Sequence, residues 1–80
     1  MSDWREEGTA LVRDFSFSDF ASAMAFVNQV ALMAEDANHH PDILVHGSNK
    51  VRLTLSTQPE GGLTDADHAL ARRIGEVVEG

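Results

Sequence analysis

The sequence predicts an α+β fold: an antiparallel four-stranded sheet with two helices packed on one face. Three observations carry this expectation. Period-2 segments occur at Leu11–Phe17 and Lys50–Gln58. Helical spacing of apolar residues runs from Phe20 to about Asp36 and again from Thr64 to the C-terminus. The segments alternate strand, helix, hairpin, helix, an order that suits an antiparallel sheet covered on one side.

The elements follow in order. Met1–Gly8 is polar apart from Trp4 and reads as an edge strand or a loose arm, with Gly8 marking a turn. Leu11–Phe17 places Leu11, Phe15 and Phe17 on one face and Val12, Asp14 and Ser16 on the other, with Arg13 interrupting the first. Ser18 is expected to cap the following helix, with Asp19 in its first turn, where the dipole favours an anion. Phe20, Ala23, Met24, Val27, Val30, Ala31 and Ala34 form the apolar stripe. Phe26 and Met33 fall off it, which reads either as a second face for a subunit contact or as a helix of wide burial. Pro41 forbids helical continuation and pushes His40 towards an extended backbone. Ile43–Val45 and Lys50–Gln58, joined across His46-Gly47-Ser48-Asn49, should form a hairpin. On the second strand Val51, Leu53, Leu55 and Thr57 share a face. Pro59-Glu60-Gly61-Gly62 breaks the pattern. Thr64 then caps the last helix, Asp67 completes a capping-box spacing, and Leu70, Ile74, Val77 and Val78 form its stripe.

Length and composition narrow the function. The chain has 80 residues, read as a single domain over residues 1–80. A domain of this size buries only about 60% of the surface of its unfolded chain, so a site must be shallow or completed by a second subunit. There is no cysteine, which excludes disulfides and thiolate zinc sites. The net charge is −7 with six scattered basic residues, which argues against direct nucleic-acid binding. No apolar run approaches the roughly 20 residues of a membrane span, and the N-terminus has no apolar signal core, so a cytoplasmic location is expected.

The chemistry-bearing stretch is Glu35-Asp36-Ala37-Asn38-His39-His40-Pro41-Asp42. Two imidazoles and nearby carboxylates could be a solvated helix exit, or a site where proton transfer runs at neutral pH. A zinc site is weighed and set aside, because neighbours in an extended segment point to opposite sides. His46 and His68 read as surface residues, and Arg72-Arg73 as a solvated helix face.

Four blocks in order tip the balance: Glu35-x-x-x-His39-His40-Pro41, Asn49-Lys50-Val51, Leu53-Thr54-Leu55-Ser56-Thr57, and Gly61-Gly62-Leu63-Thr64-x-x-Asp67. With Phe15-Ser16-Phe17-x-Asp19-Phe20 and Val30-Ala31-x-x-Ala34-Glu35, the chain from about Trp4 to Val78 resembles the pterin-4-alpha-carbinolamine dehydratases. The resemblance implies dehydration of a 4a-hydroxytetrahydropterin to the quinonoid dihydropterin, without metal or cofactor. It also implies self-association into dimers or tetramers. His39 and His40 become the catalytic residues, with His39 as general acid or base and His40 positioning the pterin. Glu35, Pro41, Gln58 and Asp67 join them as substrate-binding residues. Glu35, four residues before His39, is placed to orient that imidazole.

The chain departs from the family pattern at three points. Gln58 stands where the family has a third histidine, and glutamine transfers no proton at neutral pH. Ser48 stands where a loop aromatic is usual. Before the tryptophan, where the family usually has a further helix, none is expected. These departures imply an alternative: a degenerate member acting as a binding, assembly or regulatory protein.

Overall fold

A computed structural model describes residues 4–56 and 64–79 of the chain. The elements are β1 (Arg5–Glu7), β2 (Ala10–Ser16), α1 (Phe20–Ala37), β3 (Asp42–His46), β4 (Lys50–Leu55) and α2 (Asp65–Glu79). Every strand pairing is antiparallel, and the sheet order is β1-β2-β4-β3. The α+β class, the four strands and the two helices agree with the sequence expectation.

The first segment is an edge strand. A two-residue turn returns it to β2, with Gly8 at φ +62° supplying the left-handed backbone that such turns need. The second hairpin turns through Gly47 (φ +59°) and Ser48 (φ +63°). Thr57, Gln58, the Pro59-to-Gly62 breaker and Leu63 lie outside the described residues, as do Met1–Asp3 and Gly80. Among the described residues β4 runs Lys50–Leu55 and Ser56 lies outside it; the rest of the expected strand falls on residues that are not described.

The core sits between sheet and helices. Leu11 and Phe15 of β2 and Val51, Leu53 and Leu55 of β4 share one face through the register Leu11–Leu55, Arg13–Leu53, Phe15–Val51. Ala23, Phe26 and Val30 of α1 and Leu70, Ala71 and Ile74 of α2 pack on that face. Arg13, expected to interrupt it, is buried there with its guanidinium 4.7 Å from the Phe15 ring centre. A side chain at Gly75 would begin 3.6 Å from that guanidinium, an ordinary van der Waals contact, so α2 passes close to it.

The sequence mislocated two features of α1. Its cap is Asp19, not Ser18: Asp19 is extended (φ −158°) and its carboxylate accepts from the Ser22 N–H at 2.8 Å. A carboxylate is a stronger acceptor than a hydroxyl, which favours the later start. That hydrogen bond holds the Asp19 carboxyl below its ordinary range. The cap is therefore at full strength above the unfolded aspartate range and lost as pH falls through the depressed value.

The buried stripe is also rotated. Ala23, Phe26, Val30 and Ala34 face the core, with Val27 and Met33 beside them, whereas Phe20 and Ala31 are exposed. Phe26 is no second face. Its ring lies 4.7 Å from Phe15 and 5.1 Å from Phe17, centroid to centroid, and these contacts set the rotation of the helix. The other sheet face carries Arg5, Asp14 and Arg52. Arg52 donates to Asp14 at 2.8 Å and Arg5 at 3.2 Å. The Arg52 hydrogen bond, with Arg5 assisting, holds the Asp14 carboxyl below its usual range.

Phe26→Ala should cost about 3–5 kcal/mol in chemical denaturation, as an aromatic truncation in a packed core. Leu32→Ala, at a side chain 73% exposed on the same helix, should stay within about 0.5 kcal/mol.

Candidate functional site

The site forms where the C-terminal end of α1 meets the N-terminal end of α2. An ion pair, Asp36–Arg73, and a hydrogen bond, His39–Asp67, join the helices in reversed order along the chain, so the helices run antiparallel.

Helix α1 stops at Asn38, three residues before Pro41. Asn38 is left-handed (φ 53°, ψ 42°), and its N–H reaches the carbonyls of Ala34 and Glu35. The His39 N–H then donates to the Ala34 carbonyl at 3.0 Å. This is a Schellman ending, with asparagine in the place glycine usually takes. It swings His39 out of the helical path.

That swing decides the partners of both imidazoles. His39 Nε2 pairs with Asp67 Oδ1 across the helix junction, and His40 Nε2 pairs with Glu35 Oε2. The expectation that Glu35 orients His39 is corrected: the i,i+4 relation holds only within a helix, and the helix has already ended. Glu35 serves His40 instead. The two pairs differ in setting. The His39 side chain is 16% exposed and Asp67 is 0% exposed, whereas His40 and Glu35 are 57% and 75% exposed. Pro41 is half-buried beside them and leads into β3. Gln58 lies outside the described residues.

Asp67 has two structural tasks. At the start of α2 its Oδ2 accepts from the Thr64 N–H at 3.0 Å and the Thr64 hydroxyl at 3.3 Å. Its Oδ1 faces His39. One carboxylate thus caps α2 and pairs with His39. Thr64 does more than cap: the Thr-x-x-Asp spacing lets it hold the Asp67 carboxylate. Asn49 closes the turn before β4. Its side-chain amide donates to the Phe17 carbonyl at 2.9 Å and its own carbonyl accepts from the Phe17 N–H at 2.9 Å, tying the β3–β4 turn to the end of β2. Ser48, in that turn, is exposed. His46 and His68 are exposed, as expected, and no cluster of three metal-ligating side chains occurs among the described residues.

The geometry has a clear chemical reading. A neutral imidazole donates from one nitrogen and accepts at the other. Asp67 engages Nε2, so exchange with a ligand falls to Nδ1 of His39. A carboxylate behind a half-buried imidazole is the arrangement that fixes the ring and its tautomer for acid–base work.

Comparison with known proteins gives the family and the fold. Residues 1–77 match the family described as pterin 4 alpha carbinolamine dehydratase. A protein of Thermomicrobium roseum, provisionally named a pterin-4-alpha-carbinolamine dehydratase, is 51% identical over 75 residues, covering 94% of this chain and 80% of that protein. One of Metallosphaera sedula with the same provisional name is 42% identical, covering 96% and 79%. Among solved structures, a transcriptional coactivator/pterin dehydratase from Brucella melitensis superposes with a TM-score of 0.87 at 36% identity, covering 94% of this chain and 81% of its own. A pterin dehydratase-like protein identified as a RuBisCO assembly factor in the alpha-carboxysome gives 0.74 at 25% identity, covering 92% and 84%.

The contrast between the two pairs should appear in stability. Asp67→Ala should cost about 2–4 kcal/mol in denaturant, because it removes a cap and strands buried hydrogen-bonding groups. Glu35→Gln should change stability by less than about 0.5 kcal/mol.

Proposed function

The chain belongs to the pterin-4-alpha-carbinolamine dehydratase family, and on that premise we propose that it dehydrates a 4a-hydroxytetrahydropterin to the quinonoid dihydropterin. The observation that carries the proposal is the half-buried His39 imidazole backed by the fully buried Asp67 carboxylate. The C4a hydroxyl and the N5–H of the substrate lie on adjacent ring atoms. His39 Nδ1 takes the N5 proton and returns it to the oxygen as the C4a–O bond breaks, so that water leaves and the C4a–N5 double bond forms. Asp67 holds the ring and balances the transient imidazolium. His40, steadied by Glu35, positions the pterin, Pro41 flanks it, and Gln58 hydrogen-bonds its polar edge. No step calls on a metal or cofactor.

The reading includes a cytoplasmic, self-associating protein. No helix among the described residues is long and apolar enough to cross a membrane. Exposed Ile43 and Leu44 lie on β3, an edge strand, and unpaired apolar edges of this kind support association.

A second reading makes the chain a binding or assembly protein that has kept the fold. It is supported by Gln58 in place of a proton-transferring histidine and by the related fold of a RuBisCO assembly factor.

Dehydration of freshly generated 4a-hydroxytetrahydropterin separates the two. His39→Ala should lower the rate by about 10²-fold or more, the usual worth of a positioned acid–base group. An unchanged rate removes His39 from the chemistry. A rate seen only after Gln58→His supports the second reading.

A further inference from the structure

The contacts of Asp67 single out a residue that acts on His39 without touching it. A carboxylate can turn about its last bond, since that torsion is broad and two-fold. The His39 contact alone leaves the carboxylate plane undetermined. Thr64 constrains it. Its N–H and its hydroxyl both donate to Oδ2, at 3.0 Å and 3.3 Å, leaving Oδ1 directed at His39. The hydroxyl is used in an unusual way for a capping threonine. The Asp67 N–H, which such a hydroxyl ordinarily serves, donates to the Thr64 carbonyl oxygen at 3.1 Å. The hydroxyl is thus a donor to the carboxylate, inside a setting where Asp67 has no exposed surface.

We propose that Thr64 is a positioning residue: its hydroxyl, together with its N–H and acting through Asp67, holds the carboxylate plane and with it the His39 ring. In kinetic terms the proposal rests on the dehydratase reading, whereas in structural terms it is independent of it. The Thr64–Asp67–His39 chain joins the first turn of α2 to the residue just beyond α1, so the quality of the helix cap and the aim of the imidazole are one property.

The test uses the full chain, labelled with ¹⁵N, as wild type, Thr64→Ser, Thr64→Val and Thr64→Gly. Glycine is tolerated at N-caps, so the last variant removes the hydroxyl while α2 stays folded, which circular dichroism verifies. The readout is the downfield Nε2–H proton of His39. It should be seen in wild type and Thr64→Ser, and be shifted upfield or broadened by exchange in Thr64→Val and Thr64→Gly. The dehydration kcat should fall about tenfold in those two variants, with KM within about twofold. A Nε2–H signal unchanged in both Thr64→Val and Thr64→Gly overturns the proposal, as does its loss in Thr64→Ser. A wild type with no dehydration rate would fail the dehydratase reading, while the proton signal would still decide the role of Thr64.

Discussion

The contact between His39 and Asp67 is the interaction on which the rest depends. It joins the end of one helix to the start of the other, and it is the only place where a described histidine meets a carboxylate with no exposed surface. A buried carboxylate without partners is costly, so each of its oxygens must be answered by a donor. Thr64 answers one and His39 the other. The same groups that make the carboxylate tolerable in the interior make it a rigid support for the imidazole.

The surrounding elements bring these two residues together. The aromatic cluster of Phe15, Phe17 and Phe26 sets the rotation of α1 on the sheet, and Leu70, Ala71 and Ile74 bring α2 into the same core. Asn38 ends α1 one residue before His39 and turns the chain across to α2. Had the helix continued one more turn, His39 would face Glu35 in solvent. A single left-handed residue therefore separates a half-buried, carboxylate-backed imidazole from an ordinary surface pair. Asn49, bonded to Phe17 through both backbone and side chain, fixes the hairpin turn to the same aromatic end of the molecule.

Much of this was legible in the sequence. Period-2 alternation placed β2 and β4 because one face of each is wholly buried, and the Thr64–Asp67 spacing announced the start of α2. The partner of His39 was not legible, since spacing along a chain reports contacts only while the helix persists. Asn38 was the missed signal: asparagine tolerates the left-handed conformation that terminates helices, and Pro41 drew attention to a stop that had already happened. Phe26 stayed between two readings because helical spacing finds apolar stripes but not their orientation; the wide burial that the structure shows depends on aromatic contacts with Phe15 and Phe17. The cap shifted from Ser18 to Asp19 for a local reason, the stronger acceptor one residue later. Gln58 is the one predicted site residue whose place the structure leaves undescribed, and it is also the position at which the chain departs from the acid–base pattern its family suggests.

The central claim is that a pterin binds against the imidazole that Asp67 supports. The most direct measurement is an NMR titration of the ¹⁵N-labelled protein with a stable dihydropterin. The account predicts saturable shifts of the His39 ring signals and of the Thr64 and Asp67 amides, while the exposed His46 and His68 rings stay in place. Saturable shifts that spare His39 and the start of α2 would contradict it.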